Sequence, residues 1–117
     1  MPPERELVLP ISELKAELFR ALSHPARIRI LEALATREQS VSEMQPEIGI
    51  ELSHLSQQLG VLRRAGLVVT RKEGQSVYYS LKNPQMTDLL KVAKQLLISS
   101  LTETRDLLAD LHAQVNR

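Results

Sequence analysis

A mainly α domain carrying one small β-hairpin is the fold class that this sequence predicts, and three observations predict it. Apolar residues recur at helical spacing through four segments before residue 66 and through one long segment after residue 84. Between them, residues 67–81 switch to β-favouring runs on either side of a polar, glycine-containing turn. The apolar share is 43%, filled almost wholly by Leu, Ile, Val and Ala, while aromatic residues are only 3%; such aliphatic cores usually come from packed helices.

Taken in order, Pro2, Pro3 and Pro10 mark residues 1–11 as a flexible lead, and Ser12 is placed to cap a helix through Leu14, Leu18, Phe19 and Leu22. Ser23-His24-Pro25 interrupts that pattern. Pro25 suits the first turn of a second helix carrying Ile28, Ile30, Leu31 and Leu34, and His24 is placed to cap or pack at its start. Ser40 followed by Glu43 has the spacing of a capping box for a short third helix, stopped around Pro46 and Gly49. A fourth helix is predicted from Leu52 to Ala65, with Leu52, Leu55, Leu59 and Leu62 on one face and Gly66 as its stop. The hairpin follows, Leu67 to Thr70 and Ser76 to Leu81, its tip projecting Arg71, Lys72 and Gln75 toward solvent. Asn83-Pro84 opens the last segment, where Leu90, Leu97, Leu101, Leu108 and Leu111 form an apolar stripe on one long helix, or on two with a break near Ser99-Ser100. A continuous helix there spans about 45 Å, more than a small monomer covers, so the stripe is expected to seat a second copy of the chain. The domain reading is a flexible lead at 1–11, a core at 12–83 and a dimerisation segment at 84–117.

Composition excludes several function classes. With 117 residues, one core is expected. The chain has no cysteine, which removes disulfides, thiolate metal sites and cysteine nucleophiles. No apolar run is long enough to span a bilayer and Met1 to Glu6 lacks a signal-peptide pattern, so a cytoplasmic protein with no membrane partner is expected. No nucleophile–base pair, glycine-rich phosphate loop or histidine cluster speaks for an enzyme. A net charge of +1 means that any nucleic-acid affinity must come from a local patch.

The order of elements is that of a winged helix-turn-helix, in which two crossed helices set one of them into a major groove and the hairpin reaches the flanking backbone. The N-terminal half of the fourth helix supplies Ser53, His54, Ser56, Gln57 and Gln58. Gln can pair in two places with adenine, so Ala at Gln57 or Gln58 is expected to cost about 1–3 kcal/mol of operator binding. Arg63, Arg64, Arg71, Lys72 and Gln75 surround that face, the cations being suited to phosphates. From composition alone the same polar face reads equally as ordinary solvated surface. The competing function class is a winged-helix module that binds another protein and not DNA, which the near-zero net charge would suit.

Two stretches carry a family resemblance. Leu22-Ser23-His24-Pro25-Ala26-Arg27-Ile28-Arg29-Ile30-Leu31 and Leu55-Ser56-Gln57-Gln58-Leu59-Gly60-Val61-Leu62-Arg63-Arg64-Ala65-Gly66-Leu67-Val68 resemble the ArsR/SmtB repressors, over roughly residues 12–98. The resemblance implies a homodimer, joined by the first and last helices through residues such as Leu14 and Leu18, that binds palindromic double-stranded DNA and usually represses. Many relatives release DNA on binding a metal ion. Relatives that sense zinc or nickel through the last helix use an Asp-x-His pair with a later His and a carboxylate from the partner chain. Here Asp110-Leu111-His112 matches the pair only, and no second His follows. Where the family commonly has His, this chain has Gln58.

Overall fold

The computed structural model describes residues 10–115, so most of the 1–11 lead lies outside the described residues. The chain divides into two compact units, one ending at Pro84 and one beginning at Gln85. Among its described residues the first holds four helices and a three-stranded sheet: α1 (Ile11–Leu22), α2 (Pro25–Thr36), β1 (Gln39–Ser40), α3 (Val41–Ile48), α4 (Leu52–Arg64), β2 (Val68–Glu73) and β3 (Ser76–Leu81). The second is one helix, α5 (Gln85–Val115). No helix among the described residues is long and apolar enough to cross a membrane.

Local chemistry sets most of the boundaries. Pro10, not Ser12, occupies the cap position of α1, so the helix begins two residues earlier than the capping chemistry of serine suggests. His24 caps α2 through its side chain, Nδ1 accepting from the Ala26 amide at 3.1 Å, and Pro25 takes the first helical position, where no amide is needed. Helix α3 starts with a complete capping box: the Glu43 amide donates to Ser40 Oγ and the Ser40 amide donates to Glu43 Oε1. Pro46 sits within α3 and does not end it; the helix ends at Ile48, where Gly49 takes a φ of +76° that a side chain would resist. Helix α4 ends in a Schellman arrangement, with the Gly66 amide donating to the Arg63 carbonyl and the Leu67 amide to that of Leu62, both at 3.0 Å.

The core of the first unit joins α2, α3 and α4. Ile30, Leu31, Met44, Ile48, Leu55, Leu59 and Leu62 are fully buried, with Val68 closing the layer from β2. Leu52 does not share that burial; it is about half exposed at the start of α4, one turn away from the buried stripe. The sheet has the order β1-β3-β2, all antiparallel. The sequence predicts the β2–β3 hairpin; the structure adds β1, two residues whose partners are Tyr79 and Tyr78. Gly74 and Gln75 form the two-residue turn, and Gly74 at its first position has φ +62°, as the type II′ hairpin turn requires. Helix α5 is continuous through Ser99-Ser100, with no break there.

Candidate nucleic-acid interface

The two helices α3 and α4 are joined by Gly49, Ile50 and Glu51, a three-residue turn whose glycine amide donates to the Gln45 carbonyl at 2.8 Å. That connection is the length a helix-turn-helix needs, and it makes α4 the second, groove-reading helix. Residues 55, 59 and 62 fix the buried face of α4, so positions 53, 56 and 57, three and four apart, share the opposite side. Ser53, His54, Ser56 and Gln57 are all exposed. The edge of the His54 ring meets the face of the His24 ring, or the reverse, at 6.0 Å between centroids, which braces it against the cap of α2.

Gln58 is the correction. It is buried, 6% exposed, and its Oε1 accepts from Arg27 Nη1 at 3.0 Å. The physical reason is helical period: Gln58 lies three residues after Leu55 and four before Leu62, on the buried stripe and not on the polar face. Buried and paired with Arg27, Gln58 does not present the base-reading edge that its place in the sequence suggests. Arg27, which sequence reasoning passed over, is the hub of that contact, since its Nε also donates to the Ala21 carbonyl at 2.7 Å near the C-terminal end of α1. One arginine thus fastens α4 to α1 while satisfying a helix-terminal carbonyl. The signal was present in the sequence as a glutamine in phase with three leucines.

The hairpin brings its tip beside α4. A shallow groove of about 370 Å³ is lined by Ser40 and Ser42 at the start of α3, Leu52 and Ser56 on α4, and Gln75 and Ser76 at the hairpin. Ser56 and Gln75, nineteen positions apart in the chain, are thereby brought to one site. Arg63 and Arg64 are exposed in the last turn of α4, and Lys72 is exposed on β2. Arg71 is not a free cation. Its Nη2 donates to Glu38 Oε1 at 2.6 Å, its Nη1 to Glu73 Oε2 at 2.6 Å, and its guanidinium carbon stands 4.9 Å from the centre of the Tyr78 ring. Hydrogen bonding to Glu38, then to Glu73, raises the Arg71 pKa, and the same bond to Arg71 is the main cause holding the Glu38 carboxyl below its ordinary value.

Asp110 and His112 lie exposed near the end of α5, and no group of three His, Cys, Asp or Glu side chains able to hold a metal occurs among the described residues. Two donors on one chain do not make a zinc or nickel site.

A three-helix core, a tight helix-turn-helix and a hairpin beside an exposed polar helix define a winged helix-turn-helix DNA-binding domain. Residues 22–71 match the family described as a helix-turn-helix domain. An uncharacterised HTH-type transcriptional regulator of Mycobacterium tuberculosis, Rv0081, is 50% identical over 105 residues, 89% of this chain and 92% of that protein. Its crystal structure superposes with a TM-score of 0.73, 49% identity, and coverage of 82% of this chain and 97% of that one. The biofilm growth-associated repressor of Agrobacterium fabrum is 40% identical over 90 residues, 74% of this chain and 77% of that protein. A domain from Mycobacterium bovis, described as a homodimeric winged helix-turn-helix DNA-binding domain and a possible ArsR-family regulator, is similar at TM-score 0.66 and 28% identity, covering 74% and 81%. This chain belongs to the HTH-type transcriptional regulators, a family of DNA-binding proteins and not of enzymes.

Proposed function

We propose that this protein is a cytoplasmic, homodimeric repressor of the ArsR/SmtB group that binds a palindromic operator. The observation that carries the reading is the exposed polar half of α4 beside the hairpin groove. Ser53, His54, Ser56 and Gln57 face the major groove, with Gln57 placed to pair with adenine and the serines to take phosphate oxygens. Arg63, Arg64, Lys72 and Gln75 meet the flanking backbone. Pairing of two copies through α1 and α5 is supported by exposed apolar residues on both, including Leu14, Leu97, Leu101, Leu108 and Leu111, and by the homodimeric M. bovis relative. Partly buried Leu18 and Leu90 extend the same surfaces. Two-fold symmetry in the protein then matches two-fold symmetry in the operator.

The test is fluorescence anisotropy of the purified protein on the DNA upstream of its own gene against a scrambled duplex, at two salt concentrations. Tighter binding to the upstream duplex that weakens with salt is the expected outcome. Equal or absent binding to both duplexes would replace the repressor with a protein-binding winged helix.

A further inference from the structure

Arg71 reaches across the sheet. It sits on β2 opposite Tyr78 of β3, and Tyr78 in turn pairs with Ser40 of β1. The guanidinium crosses the Tyr78 ring and ends on Glu38, two residues before Ser40, where Nη2 donates at 2.6 Å and Nε donates to both carboxylate oxygens at 3.2 Å. Glu73 takes Nη1. Arg71 with its two carboxylates sums to a charge of −1, so the guanidinium on the hairpin is exposed yet already neutralised when a phosphate approaches.

We propose that Glu38 is a specificity-determining residue for DNA binding: it holds the Arg71 guanidinium away from the DNA backbone until a phosphate of a correctly docked operator takes its place. This rests on the operator-binding reading given above. A phosphate matches the fork as a carboxylate does, through two parallel N–H···O bonds. The exchange is cheap in stability. The Arg71 side chain is 49% exposed and that of Glu38 34%, and ion pairs so open to water add little to folding. On arbitrary DNA, a phosphate must compete with a carboxylate already in place, and nothing fixes it at the right distance. On the operator, the contacts of α4 set that distance, and the exchange follows. Glu38 therefore removes one phosphate contact from nonspecific binding while leaving it available to specific binding.

The experiment compares the full chain with Glu38→Gln, Arg71→Gln and the double variant by anisotropy on upstream and scrambled duplexes across a KCl series. Circular dichroism checks that each is folded. Glu38→Gln is expected to bind scrambled DNA several-fold more tightly, with a log K against log salt slope steeper by about 0.9, the signature of one added phosphate contact. Its preference for the upstream duplex falls accordingly. Arg71→Gln is expected to make the slope shallower on the upstream duplex and to leave it unchanged on the scrambled one. The double variant should lose the gain. With each variant shown to be folded, an unchanged scrambled-DNA slope in Glu38→Gln, or a gain that survives in the double variant, overturns the proposal. Equal binding of both duplexes by the unsubstituted protein is a different failure: it overturns the repressor reading, and this inference falls with it.

Discussion

Adjacent glutamines on α4 carry different loads. Gln58 holds Arg27 from inside the first unit, whereas Gln57 faces solvent. Replacing Gln58 with Ala removes a hydrogen bond to a charged group, and the expected cost is roughly 1.5–3 kcal/mol, read in urea unfolding. Base preference should not change. Replacing Gln57 with Ala should do the reverse: unfolding stays put, while operator binding weakens by about 1–3 kcal/mol and the preference at one base pair relaxes, as competition with single-base operator variants would show. A Gln58→Ala protein with altered base preference and undiminished stability would return Gln58 to the DNA face. His54 and His24 illustrate the same division, one on the polar face and the other occupied in capping α2.

Among the elements, α3 depends most on its ends. Eight residues are too few for a helix to hold by itself, and the Ser40–Glu43 capping box supplies two of the missing amide acceptors. The Glu43 carboxyl lies below its ordinary value of 4.5, chiefly because it accepts the Ser40 amide and then because Arg37 donates to it. A depressed carboxyl contributes stability that is fully present above the ordinary value and is lost as pH falls through the lower, folded-state value. Thermal unfolding of the protein and of Glu43→Gln should therefore differ at neutral pH and converge as the pH drops below about 4.5. Ends and faces of this kind are local, and local features could be read directly: the Ser-x-x-Glu spacing, the glycines at 49 and 66, and the Leu55–Leu59–Leu62 stripe. The two-residue strand β1 could not be read, because Gln39 and Ser40 acquire strand geometry only by pairing with β3. Glu38 and Arg71 stand 33 positions apart and meet only once the sheet has formed, so the neutralised wing cation was equally hidden.

At the scale of the whole molecule, the 31 residues of α5 make a rod of about 46 Å that leaves Leu97, Leu101, Leu108 and Leu111 exposed. Leu101 and Leu108 are seven residues apart, one heptad, and so lie on one seam. Glutamate at both is expected to halve the mass seen in sedimentation velocity and to abolish tight operator binding, with helical circular dichroism retained. A variant that keeps the dimer mass would move the seam elsewhere. The sheet order has a bearing on this same solution behaviour. Because β3 is flanked on both sides, the exposed borders are the two-residue β1 and the outer strand β2, which bears Arg71, Lys72 and Glu73 in succession. Short or charged borders reject the strands of other molecules. Concentrated protein should accordingly stay clear and free of amyloid-type ribbons, as light scattering and thioflavin fluorescence would show.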